Sequence, residues 1–189
     1  MRAWCLFGLL AMVAAWLVIG AAWAINSSWF DFWSHAFSDL GVPGRAFRPW
    51  VYNYGLIATG GLAIAYSLGL YRWARYKLEV VAASFMGLAG VFLALIGVFP
   101  GGTRPHVFVS TWFFVQVDMA LIPLAYSLWR YRGYRPALAA LAASLAGFPV
   151  YIAIEALWGW PSVAAAEAYG ILVIDIALAI IVWGQCSGR

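Results

Sequence analysis

At 189 residues, 66% of them hydrophobic and 10% charged, with a mean hydropathy of +0.88, the chain carries far more apolar side chain than a soluble core of this size can bury. It therefore reads as an integral membrane protein. Its net charge of +4 comes from basic residues clustered between apolar segments, where they set topology, so the charge gives no sign of a nucleic-acid partner.

Apolar runs of roughly 20 residues predict an all-α, six-helix transmembrane bundle. The spans fall at about 3–25, 50–71, 78–99, 106–129, 136–158 and 163–184, within a single integral membrane domain over residues 1–189. The first run, "MRAWCLFGLLAMVAAWLVIGAAWA", has the basic lead of a signal peptide and a small-residue site at Ala22-Trp23-Ala24. Its apolar length instead fits an uncleaved span. Orientation follows from the short loops: with the N-terminus inside, Arg2, Arg72, Arg75, Lys77, Arg130, Arg132, Arg135 and Arg189 collect on the cytoplasmic side. Only Arg45, Arg48 and Arg104 fall outside. A multi-pass protein of the cell membrane with both termini cytoplasmic is expected. Cys5 and Cys186 form no metal-ligand or CxxC spacing and read as apolar fillers.

The first outer loop, about residues 26–49, contains "SSWFDFWSHAFSDLG". Ser28 can cap a helix, Asp31 holds the capping-box position and Gly41 can end it, so an interfacial amphipathic helix is expected here. Asp31, His35 and Asp39 would then form a polar stripe, one turn apart, opposite the rings of Trp29, Phe30, Phe32, Trp33 and Phe37. A purely interfacial helix with a solvated face explains the pattern without any chemistry.

The second and third spans resemble the fourth and fifth. Laying 62–91 over 122–151 matches "AYSLGLYRWAR" to "AYSLWRYRGYR", a candidate parallel repeat, although biased composition also favours such matches. Small residues at Gly87, Gly90 and Ala94, and at Ala139, Ala143 and Gly147, read as helix contacts.

Nearly every other candidate ligand or proton carrier also maps to the outer half. His106 opens the fourth span with Ser110 one turn deeper, and Asn53, Arg104, Glu155 and Glu167 share that side. Two acids go deeper. Asp118 and Asp175 each lie roughly 18 Å from the outer boundary at 1.5 Å per residue, so they should face the interior, as a proton-sharing pair or as structural hydrogen-bonding groups.

The stretches "SHAFSDLG" (34–41), "YNYGLIATGG" (52–61) and "FPGGTRPHVFVS" (99–110) together resemble a prokaryotic, largely archaeal membrane family catalogued as domain of unknown function 998. The resemblance covers about residues 1–185 and implies a six-helix membrane fold. It also implies membership of a broader group with eukaryotic proteins of GPI-lipid remodelling and autophagy regulation. Its motifs fall on Ser38, Asp39, Leu40, Gly41, Asn53, Gly55, Pro100 and His106, and it brings no established reaction.

Two function classes stay open. One is a protein that binds a lipid headgroup or small ligand at an outward-facing polar site, with Asn53, Arg104, Glu155 and Glu167 as ligand contacts. Within that class it could also be a transporter or a subunit of a membrane complex, with homo-oligomerisation expected of so small a transporter. The other is an intramembrane lipid hydrolase or transferase, with His35, Asp39, His106 and Ser110 as catalytic candidates. His35, Asp39 and His106 could hold zinc, but without HExxH spacing, and no GxSxG motif marks a serine hydrolase. A b-type haem between His35 and His106 is supported by count alone. Membrane lipids are the expected partners.

Overall fold

The structure, a computed structural model, describes residues 3–186. Among them the chain forms six α-helices, each long and apolar enough to cross a membrane. They are α1 (Cys5–Ile25), α2 (Pro49–Trp73), α3 (Lys77–Val98), α4 (His106–Arg132), α5 (Ala137–Leu157) and α6 (Val163–Cys186). Every end falls within one helical turn of the apolar run that predicted it. Arg2 and Arg189, both part of the charge count, lie outside the described residues.

Local chemistry explains the punctuation. Pro49 opens α2, where its missing N–H has no intrahelical partner to lose, directly after Arg48 in the left-handed region at φ 52°. α4 overruns its predicted end because Arg130 and Arg132 suit the negative end of the helix dipole, and it stops where Gly133 adopts φ 68°. Six crossings bring the start of α1 and the end of α6 to one end of the bundle, here the terminal end. The other is the first-loop end.

Consecutive helices pack as neighbours, and α6 closes the bundle against α1 and α4. The tightest seam joins α2 and α3. A methyl group on Gly60 would sit 2.5 Å from the Gly90 carbonyl oxygen, and one on Gly97 would strike the Asn53 carbonyl. Lipid offers no hydrophobic drive for association, so such close backbone approach is what binds the pair. The buried side chains divide into two cores. One, at the terminal end, centres on Tyr66, Leu70, Leu121 and Ile181. The other, at the first-loop end, centres on Ile19, Phe37, Leu40 and Ile96.

The first loop departs from expectation. Residues 28–41 form turns and a single short 3-10 helix, Phe37–Gly41, instead of a continuous amphipathic helix, so Asp31, His35 and Asp39 make no stripe. The cause is competition for backbone groups. In an α-helix the Phe32 and His35 carbonyls would accept from residues four further on. Here Phe32 accepts the Ser162 hydroxyl at 2.7 Å and His35 accepts the Ala164 amide at 2.9 Å, both from the start of α6. The Ala36 amide goes to the Asp39 carboxylate at 3.0 Å. Ser28 caps nothing. Asn26 organises the loop instead: its side chain accepts the Phe47 amide at 2.6 Å and the Trp29 indole at 2.9 Å, and donates to the Ala22 carbonyl at 2.8 Å. Phe30, Phe37 and Leu40 turn inward as a plug, and Trp33 stays 63% exposed.

At the terminal end Glu79 is fully buried. Arg132 holds it through two bonds of 2.8 and 2.7 Å, Ser127 donates at 3.2 Å, and the amides of Arg75 and Tyr76 cap the same carboxylate. The Arg132 guanidinium lies 3.9 Å over the Trp73 ring. One carboxylate thus joins the ends of α2, α3 and α4. Removing one partner of a buried pair leaves an uncompensated charge. Glu79→Ala is therefore expected to lower stability by about 3–5 kcal/mol, seen as a large drop in unfolding midpoint in detergent. Arg45→Ala breaks a half-exposed pair with Asp39 and should change stability by about 1 kcal/mol or less.

Candidate functional site

Between the two cores lies a partly open cavity of about 120 Å³. α1, α2, α3, α4, α6 and the plug all contribute walls, and α5 does not. Ile19, Leu56, Leu93, Ile96, Phe113 and Ile171 are typical of its surface. The polar exceptions gather toward the first-loop end: Ser38 on the plug, Tyr52 on α2, His106 and Ser110 on α4, and Glu167 on α6. Two more line it deeper, Thr59 on α2, whose hydroxyl donates to the Gly55 carbonyl, and Asp175 on α6, two turns beyond Glu167.

Helix starts place two of these groups. His106 is the first residue of α4, and its Nδ1 lies 2.8 Å from the Phe99 carbonyl oxygen. A carbonyl can only accept, so Nδ1 carries the proton, and in the neutral ring Nε2 keeps a lone pair. Ser110 gives its hydroxyl proton to the His106 carbonyl at 2.9 Å, the back-bond common for a serine within a helix. Glu167, in the second turn of α6, accepts the Phe37 amide at 2.7 Å and so fastens the plug to the helix.

The residues expected to share one site separate into groups. His106, Ser110, Glu167 and Asp175 meet on the cavity. His35 does not: its Nδ1 accepts the Asp31 amide at 2.9 Å, and its ring packs against Trp29 and Phe30. Asp31 itself accepts the Ser34 hydroxyl at 2.5 Å on the exposed side of the loop. Asp39 is occupied by Arg45 at 2.6 Å and by the Ala36 amide. Asn53 donates to the Gly41 carbonyl at 2.9 Å, and a side chain on Gly41 would collide with it. Gly41 is therefore a close-approach glycine between plug and α2. Arg104 is exposed, and Glu155, also exposed, accepts the Trp160 amide at 3.3 Å.

Among the described residues no three His, Cys, Asp or Glu side chains converge in a group that could hold a metal ion, and His35, Asp39 and His106 are not brought together. The loop turns His35 and Asp39 to local backbone partners, whereas His106 faces the cavity. Asp118 and Asp175 do not pair either: Asp175 accepts the Trp16 indole at 2.7 Å, and Asp118 is not part of the cavity wall. Composition alone hid Trp16, but depth could have revealed it. It lies roughly 14 Å below the first-loop end of α1, near the roughly 18 Å of Asp175 on α6. Tyr52 and Ser162 carried no such signal.

The sequence profile of one protein family, described as "Protein of unknown function (DUF998)", matches residues 9–184. Neither a curated protein nor a solved structure matches the chain.

The plug's attachment can be tested at its organiser. Asn26→Ala leaves the Phe47 amide and the Trp29 indole without their acceptor, a loss of about 1–3 kcal/mol. Amide exchange across 36–47 is expected to quicken by about tenfold or more, while exchange in α3 stays unchanged.

Proposed function

The chain belongs to the DUF998 family, and we propose that it is a multi-pass cell-membrane protein that binds an amphipathic lipid or small ligand in the cavity between its two cores. The polar end of the ligand sits beneath the plug, against His106, Glu167, Tyr52 and Ser38. Its apolar part runs down between α1, α2, α3, α4 and α6. The carrying observation is the cavity itself, whose wall is mostly apolar, with a few convergent polar groups at one end and, deeper, Thr59 and Asp175. The excess of basic residues at the terminal end supports a polar end that faces outward and termini that face the cytoplasm.

Catalysis keeps one foothold, the lone pair of His106 Nε2 at the cavity. Against a serine mechanism stands Ser110, which gives its proton to a backbone carbonyl rather than to a base. Binding is therefore the better-supported reading.

The experiment is mass spectrometry of lipids and small molecules retained by purified protein, wild type beside Ala15→Leu and Ala63→Leu, two substitutions that fill the cavity from the neighbouring helices α1 and α2. Near-stoichiometric ligand in the wild type, lost in both variants with unchanged unfolding midpoints, is expected. Identical ligand content in all three would defeat the proposal. If the wild type holds a cleaved form of what His106→Ala holds intact, the catalytic reading replaces it.

A further inference from the structure

We infer that the ligand bears a protonated aliphatic amine, an inference that rests on reading the cavity as a ligand site. The ionisable groups on its wall are Glu167, Asp175, His106 and Tyr52, and no lysine or arginine lines it. Arg45 is engaged by Asp39, and Arg104 stands exposed in the loop before α4. Each carboxylate commits one oxygen to the protein, Glu167 to the Phe37 amide and Asp175 to the Trp16 indole. The second oxygen of each has no hydrogen-bond partner among the described residues. Two more polar groups on the wall point to an occupant. Tyr52 is 6% exposed and His106 is 9% exposed, and neither the Tyr52 hydroxyl nor His106 Nε2 is hydrogen-bonded among the described residues. Both residues line the cavity, where an occupant can reach them.

Electrostatics then selects among headgroups. A phosphate would enter a low-dielectric space lined by two acidic groups and by no lysine or arginine, so nothing there compensates its charge. An ammonium brings three donors and no acceptor, and it meets acceptors on Glu167, on the Nε2 lone pair and on the phenol oxygen. Its alkyl chain matches the walls formed by Leu56, Ile96 and Phe113. Asp175 lies eight residues beyond Glu167 on α6, roughly 12 Å along the axis. The same wall therefore suits an amine-bearing lipid or a free diamine with a cation at each end.

The test titrates octylamine, octanol, octyl phosphate and 1,8-diaminooctane into the purified full-length protein in a nonionic detergent, with affinity read by calorimetry. Octylamine is expected to bind at least about tenfold more tightly than octanol or octyl phosphate. Glu167→Gln keeps an oxygen for the Phe37 amide and should erase that preference without moving the unfolding midpoint. Weakening by Asp175→Asn of the diamine alone identifies a free diamine, and weakening of neither amine identifies an amine-bearing lipid. Octyl phosphate or octanol binding as tightly as octylamine, or a preference that survives Glu167→Gln, overturns the amine assignment. If that binding still disappears in Ala63→Leu, the cavity remains a ligand site. No binding by any of the four compounds overturns both.

Discussion

A carboxylate shut entirely away from solvent obliges its surroundings to arrange themselves around it, and Glu79 is that carboxylate here. Because it sits in the first turn of α3, it draws in the two amides at that helix start. It also fixes Arg132 from the last turn of α4, while the rings of Trp73 and Tyr76 cover the guanidinium from the α2 side. A second buried bond, from the Tyr66 hydroxyl to Gln185 at 2.7 Å, carries the connection across to α6. The terminal core is thereby held in one arrangement by polar groups that pure apolar packing could not orient. Lipid can substitute for one apolar contact with another, but it cannot replace these bonds.

The opposite end solves the complementary problem. There the chain leaves helical geometry, so every freed backbone group needs a partner from elsewhere in the protein. Asn26, Asn53, Ser162 and Glu167 supply those partners one by one, and the rings of Phe30 and Phe37 fill the space beneath. The cavity exists because these two well-tied ends meet imperfectly between them. Its lining takes apolar residues from both cores, such as Met86 and Leu178 from one and Ile19 and Leu56 from the other.

The helices were legible because twenty consecutive apolar residues have few other uses, and proline, glycine and arginine marked their ends. The loop misled because its caps and ring spacing satisfied a local helix pattern. The deciding bonds came from Ser162 and Ala164, more than a hundred residues away, and no local pattern records them. Within the site, His106, Ser110, Glu167 and Asp175 were found because polar residues are rare in such spans and so stand out. His35 and Asp39 stood out equally and proved to have structural partners. Glu79, two residues after Lys77, gives no local signal, since a charge near a helix end looks like an ordinary surface residue until a partner fifty-three positions on closes over it.

The plug hangs from the start of α6 by three bonds, through Ser162, Ala164 and Glu167, and from α2 chiefly through Asn53. Mechanically, plug and α6 form a single part, and that part carries both cavity carboxylates. Whatever fills the cavity must therefore act on the order of the loop, and the loop on the filling, with equal free energy in each direction. A contact at the first-loop end that does no more than steady Trp33 would, by that reciprocity, be felt at Asp175, deep within α6.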